Sequence, residues 1–485
     1  MNSSAAPPTL PPLFPAGAQR GTTVELNTKA KFWSASKSLT FDGSKVKVAA
    51  DAVPGTYWLR GFNDDGGSNL RPFIVGTLPE VMEKEPNGDL KSAQVLAENC
   101  VVNGKLAKAG ETDCFAVSAK KGQTLVASLE ANHTLKSPMD AVIQIVSPDG
   151  FVLDENHDYR GLDPQVMYLV PKDGTYLVRV FAFPSQPDTT IRFSGADSYI
   201  YRLTITTGGF LDHTVPLAAG PDVKAVEARG WNIPAEANSV PVKDGVAFHS
   251  KLANPFRVKL DAKATTHLIA KPGDEVKVPF TGKKGQTLSL EVASRSFGLA
   301  VDPVIRVLDK DGKQLARAEP PKLHSDTALS FTPAVDGTFT ATVSDLYAGG
   351  GPRYAFSLRI APPEPDFELT LAADRFVVPP GKPLDVPVKI VRKGGFAKPI
   401  EIAAEGLPAG ITFAVKKVEK PDPNQIIVTL SSEKATPGGA FRIMGIVKGE
   451  PARPALATLA DFDDTTTELW VSASDSGTPP TPKKK

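Results

Sequence analysis

Cysteine is almost missing from this chain: Cys100 and Cys114 are the only two in 485 residues, which excludes a disulfide-stapled scaffold. Long apolar runs are missing too. No stretch approaches the roughly 18 residues that a membrane-spanning helix requires, so no membrane insertion is expected. Nor is one sign of charge in excess, with 55 Lys and Arg against 54 Asp and Glu for a net charge of +1. A dedicated nucleic-acid binder would show a clustered basic surplus, so nucleic acid is not an expected partner. The six histidines (His133, His157, His213, His249, His267 and His324) are scattered singly and read as solvated loop residues. GxSxG, HExxH, GxxxxGK[ST] and a GxGxxG after a strand are all absent, leaving no motif for a hydrolase, a phosphate-binding loop or a dinucleotide fold. Apolar residues do not recur at helical spacing with a cap at each end, so helix is a minor component.

What is present is repetition. KKGQTL occurs at Lys120–Leu125 and again at Lys283–Leu288. MDAVIQIVSPDG and VPKDGTYLVRV in the first copy answer VDPVIRVLDKDG and PAVDGTFTATV in the second, at offsets of 162 and 163 residues. A duplicated unit fixes the architecture before any finer reading. Both copies alternate short β-branched runs with Lys-Lys-Gly and Asp-Gly turns, residues that tolerate positive φ. With 44 prolines and 40 glycines, and turn signals every 8–12 residues or so, the chain reads as all-β, built of tandem β-sandwich or jelly-roll domains with immunoglobulin-like modules.

Six boundaries follow. Residues 1–11 form a Pro-rich disordered leader, and 12–78 a small immunoglobulin-like sandwich. The first repeat occupies 79–208, a β-rich bridge 209–261, and the second repeat 262–362. A further immunoglobulin-like sandwich spans 363–474, and a low-complexity tail 475–485. Met1–Gln19 lacks a basic start followed by an apolar stretch, so no signal peptide is visible. Asn63-Asp64-Asp65-Gly66 reads as a plain turn and Gly349-Gly350-Gly351 as a hairpin loop. Tyr57, Trp58, Trp231 and Trp470 are expected in core or strand positions before any sugar-stacking role. Cys100 and Cys114 flank a turn near Lys108–Gly110. Antiparallel pairing about that turn would set Cys100 opposite Ala116 or Val117, out of register with Cys114, so two free, buried thiols are expected.

The first repeat resembles the bacterial pre-peptidase C-terminal domain, a β-sandwich found beside secreted proteases. EKEPN at Glu83–Asn87, GKL at Gly104–Leu106, GETDCF at Gly110–Phe115, KKGQ at Lys120–Gln123 and DGTYLVRV at Asp173–Val180 carry the likeness. The second copy lacks EKEPN and has Val276 where the first has Asp113. FPAGAQRGTTVEL, DAVPGTYWLRG and GWNIP are similar to a design found in large exported proteins of planctomycete-type bacteria. The phrase beginning VVPPGKPLDVPVKIV is similar to bacterial surface immunoglobulin-like modules. These resemblances imply an extracytoplasmic location, whether periplasmic, cell-surface or secreted. They also imply a non-catalytic protein, and the expectation is a monomeric binding or scaffold protein that engages an extracellular polymer or protein. The alternative is an accessory component of a secreted protease or other hydrolase.

One constellation has chemistry in it. Glu83, Glu85 and Asn87 alternate, so an extended chain projects them to one side, and Glu111 and Asp113 alternate likewise. Hard oxygen donors at that spacing suit Ca²⁺, which takes roughly six to eight oxygens. In collagen-binding relatives of the resembled family, matching positions hold calcium; Glu111 departs from the more usual Asp there. The competing reading is a solvated acidic linker paired with Lys84, Lys91 or Lys105. Glu80–Asp89 carries too few apolar residues to dock by burial alone, so in the calcium reading the cation would clamp it to the sandwich, and in the linker reading no cofactor is present.

Overall fold

The computed structural model describes residues 6–97, 99–186, 192–420, 422–462 and 464–475. The expected leader at 1–5 and the tail at 476–485 lie outside the described residues. Strands make up nearly all of the regular structure, and Asn132–Leu135 is the sole α-helix among the described residues.

In the first module a four-stranded sheet (Gly17–Gln19, Gly66–Gly76, Gly55–Asn63, Lys31–Trp33) faces a three-stranded one (Thr23–Glu25, Lys45–Val48, Leu39–Asp42). Leu10 and Leu13 are buried in the core between them, and Leu10 N donates to Asn69 Oδ1 at 2.9 Å. The leader is therefore packed before residue 12, against the expected boundary. Burying a leucine is worth about 1.5–3 kcal/mol, enough to fix a Pro-rich segment that forms no ladder.

The repeats are two versions of one sandwich. The second has two four-stranded sheets. In one, Ala264–Leu268, Ala355–Ala361, Leu288–Ala293 and Thr327–Phe331 lie in that order. In the other the order is Val276–Gly282, Gly337–Asp345, Pro303–Leu308 and Gln314–Ala318. The first repeat has the same order with one strand added to each sheet. Glu80–Met82 pairs parallel with Val101–Asn103, and Gln94–Val95 pairs parallel with Phe115–Ala116. Register confirms the equivalence: Asp113 lies opposite Val180 as Val276 lies opposite Val343. Gly122 and Gly285, which close the Lys-Lys-Gly turns, have φ of 86° and 75°, the left-handed region that glycine enters without strain.

Cys100 and Cys114 are free and buried, but the expected hairpin between them does not form. Cys100–Lys105 pairs with Ile200–Thr206 in one sheet, and Asp113–Ala119 with Gly174–Pro184 in the other. The turn near Lys108–Gly110 thus crosses between sheets instead of folding a strand back on its neighbour. His213 is a second departure: it is buried in the strand Gly209–Val215, its Nδ1 2.9 Å from Asp212 Oδ2.

The bridge, 209–261, forms a six-stranded sheet. It is bonded to the first repeat through Asn232 Nδ2 and Thr124 O (2.7 Å) and to the second through Arg353 Nε and Asp212 Oδ2 (3.1 Å). The last module, 363–474, returns to pack on the first. Trp470 is buried 5.9 Å from Trp33 and 5.2 Å from Phe62 by ring centroid. A Cβ on Gly67 would meet Trp470 at 2.8 Å, so the contact requires glycine there. Arg60, fully buried, crosses the same seam to Asp374 at 2.7 Å. Asn63 Oδ1 closes its turn by accepting the Asp65 and Gly66 N–H groups, each at 3.0 Å.

Candidate metal centre

Between its two short strands, the segment that leads into the first repeat crosses the open edge of the sandwich. Glu83 N donates to Asn103 O at 3.0 Å, anchoring the crossing on one sheet. On the other, Cys114 N donates to Asn87 O at 3.0 Å and Thr112 Oγ1 to Gly88 O at 2.7 Å. The crossing therefore lies directly over the start of Asp113–Ala119. Leu90 and Ala93 then cover the outer face of that sheet, packing on Ala116, Val146 and Leu177. Within Glu80–Asp89, Val81 also packs on the core of the first repeat, so apolar docking contributes on both sides of the crossing.

This brings one carboxylate oxygen each from Glu83, Glu85 and Asp113 within 4.8 Å of one another. Two oxygens about 2.4 Å from a common Ca²⁺ are separated by at most about 4.8 Å, so the span suits that ion. Asp113 is fully buried and its Oδ1 has no hydrogen-bond partner. Its Oδ2 accepts from the Tyr201 hydroxyl at 2.5 Å. Glu83 Oε2 accepts from Lys105 N at 2.6 Å and from Tyr201 at 3.3 Å, while Glu85 Oε2 accepts from Asn87 N at 3.0 Å. Asn87 is fully buried with both amide atoms unpartnered, a costly state for a side chain that could instead ligate.

Electrostatics follow from the burial. Desolvation, then the charge of Glu83, pushes Asp113 up to about 8. Desolvation likewise pushes Glu83 up to about 7, with Glu85 adding to the shift. Burial raises the Tyr201 hydroxyl further above its ordinary value, so it serves only as a donor. A divalent cation among these groups would supply the missing positive charge.

Glu111 lies at the margin. It is nearly buried, accepts from Lys108 N at 3.0 Å and stands 3.8 Å from Lys108 Nζ, and its charge reaches both Glu83 and Asp113. Of the lysines of the competing reading, Lys105 is occupied elsewhere, its Nζ pairing with Asp197 at 2.8 Å. Among the described residues, no ion pair neutralises Glu83, Glu85 or Asp113.

Tyr201 and Gly104 are the site residues that the motif search missed. They face each other across two strands, and a Cβ on Gly104 would come within 2.4 Å of Tyr201 and Glu83 atoms. The signal was available in the repeats: YIYRLTI answers YAFSLRI, setting Tyr201 against Phe356. In the second copy His267 lies opposite Phe356, Val276 replaces Asp113, and no lead-in strand crosses. That copy has the fold without the donors.

Together these sheets define a tandem β-sandwich protein. Residues 111–182, within the first repeat, match the family model of the bacterial pre-peptidase C-terminal domain. Over 349 residues the chain is 25% identical to a probable subtilase-type serine protease of Deinococcus radiodurans, covering 62% of this chain and 45% of that protein. The chain thus spans under half the length of this curated relative. Two solved structures are more distant. The insect immune protein hemolin shows 11% identity over 97% of this chain and 99% of its own, with a TM-score of 0.22. The M60 catalytic domain with two CBM51 domains from Clostridium perfringens ZmpB shows 9% identity over 68% and 43%, with a TM-score of 0.15. No helix among the described residues is long and apolar enough to cross a membrane.

Proposed function

We propose that the chain is a non-catalytic, extracytoplasmic binding or scaffold protein whose first repeat is locked to its lead-in segment by Ca²⁺. The carrying observation is the Glu83–Glu85–Asp113 cluster, with the buried, unpartnered Asp113 Oδ1 and Asn87 amide beside it. Glu83, Glu85, Asp113 and Asn87 would hold the ion, and Glu111 would add charge at its margin. The cluster bridges two polypeptide segments, which suits a clamp better than a reaction centre. The partner would be an extracellular polymer or protein, engaged by a monomer.

The second reading, an accessory part of a secreted protease, is favoured by the pre-peptidase match and the subtilase relative. Pull-down of the full chain on cell-wall, polysaccharide and collagen-like matrices, with calcium and with chelator, separates the two. Retention on a matrix, weakened by chelator, is expected for the first. Retention only on a co-purified protease would favour the second.

A further inference from the structure

The last module has a gap in one of its sheets. In the six-stranded sheet, Asp366–Leu371 runs between Leu384–Lys393 and Leu456–Leu459. Thr370 lies opposite Lys389 on one side and Leu456 on the other. Just beyond Leu371 the chain leaves this sheet: Arg375–Val378 joins the other one, parallel to Leu469–Ala473, with Arg375 opposite Trp470. Continued in the first register, positions 372–375 would have faced residues 384–387 and 458–461. Those two runs are instead walls of a cavity of about 370 Å³, and the departing segment forms a third. Strands that flank a common neighbour stand about 9.5 Å apart, so the slot has the width of one extended chain. Among the described residues, 384–387 pair only on their other side, with the strand Gln425–Ser431.

Backbone groups and apolar side chains face into the slot. Ile390 N donates to Asn424 O at 2.8 Å, away from it. Hydrogen-bonding direction alternates along a strand, so Asp385 and Pro387 turn their backbone groups towards it. Proline is tolerated there because it has no N–H to leave unpaired. Phe376, Val386 and Leu459, all buried, supply apolar lining. The charges of the lining are compensated. Asp374 pairs with Arg60 and Arg375, Asp385 pairs with Lys416, and Asp461 is exposed at the rim within electrostatic reach of Arg71. A neutral slot bordered by unpaired main chain matches an uncharged stretch of extended polypeptide. Main-chain hydrogen bonds hold such an added strand, and the pockets beside it select its side chains.

We infer that this slot receives an extended segment of a partner protein, uncharged and with apolar residues at alternate positions, which completes the sheet. Phe367, Leu369 and Leu371 alternate into the core along Asp366–Leu371, and an added strand in the same line continues that alternation. The inference rests on the reading of the chain as a binding protein and gives it a polypeptide partner. None of the residues named belongs to the carboxylate cluster, so the two sites are separable.

The test is calorimetric titration of the full chain, in chelator, with the blocked peptide acetyl-Val-Thr-Val-Thr-Val-amide and with the same peptide N-methylated on alternate residues. The plain peptide is expected to bind, and the N-methylated one about tenfold more weakly because it has lost ladder donors. Ala373 and Thr458 are exposed on the slot, so Ala373→Trp and Thr458→Trp keep the fold while filling it, and each should weaken the plain peptide by about tenfold or more. No binding of the plain peptide, equal binding of the N-methylated one, or binding unchanged in both variants would each overturn the inference. A dimer of the chain that Ala373→Trp abolishes would also overturn it, by assigning the slot to a second copy. Peptide binding that fails while matrix retention persists would remove this site and leave the binding reading intact.

Discussion

Asp113 occupies a poor place for an isolated carboxylate, fully buried with one oxygen unpartnered. Without a cation it and Glu83 hold their protons to about 8 and about 7. An acid whose folded value lies above its unfolded one binds its proton more tightly when folded. Its contribution is therefore present at low pH and lost as pH rises from about 4 towards the folded value. In chelator the chain is expected to melt at a lower temperature at pH 8 than at pH 5, with the loss falling between about pH 4 and 8. Asp113→Asn should flatten that profile, and calcium should oppose the loss at pH 8. Melting in chelator that is independent of pH across this window would show that these carboxylates are not strained.

At the scale of strands, the repeat was legible because its turn chemistry and β-branched runs are local. Lys-Lys-Gly and Asp-Gly mark hairpins whatever surrounds them. Which sheet a strand joins is not local, and there the reading of Cys100 and Cys114 erred: a turn that crosses between sheets looks in sequence like one that folds back. Glu83, Glu85 and Asp113 were legible as alternating acids, whereas Tyr201 and Gly104 became site residues only through long-range pairing. Leu10 was hidden for a related reason, since a single apolar residue among prolines carries no periodic signal. The corrected placement still gives a prediction for the thiols. Burial pushes both up to about 11, so the folded chain should resist alkylation at pH 8. Unfolded without reductant, it should take two adducts by mass; none would mean that the cysteines are bridged.

For the whole molecule, the closing contact between the first and last modules is an interaction between segments more than 300 residues apart in sequence. Arg60 is fully buried there and held by Asp374 at 2.7 Å, by Ser68 O at 2.5 Å and by Glu468 O at 3.3 Å. Asp374→Ala would leave a buried guanidinium without its counter-charge, a loss of about 3–5 kcal/mol for such pairs. A lower urea midpoint and a larger radius of gyration by X-ray scattering are expected. An unchanged radius and midpoint would show that the seam holds without the pair.

Calcium at the lead-in crossing is tested most directly by thermal melts of the full chain with calcium and with chelator, alongside Asp113→Ala. Binding to the folded state alone stabilises it by about 2.7 kcal/mol at a hundredfold excess over Kd. The wild-type transition of the first repeat should rise with calcium, while Asp113→Ala should melt alike in both conditions. The second repeat has Val276 and Phe356 in place of Asp113 and Tyr201, so its transition should not move in either chain. Equal wild-type melting temperatures with calcium and with chelator would contradict the calcium clamp.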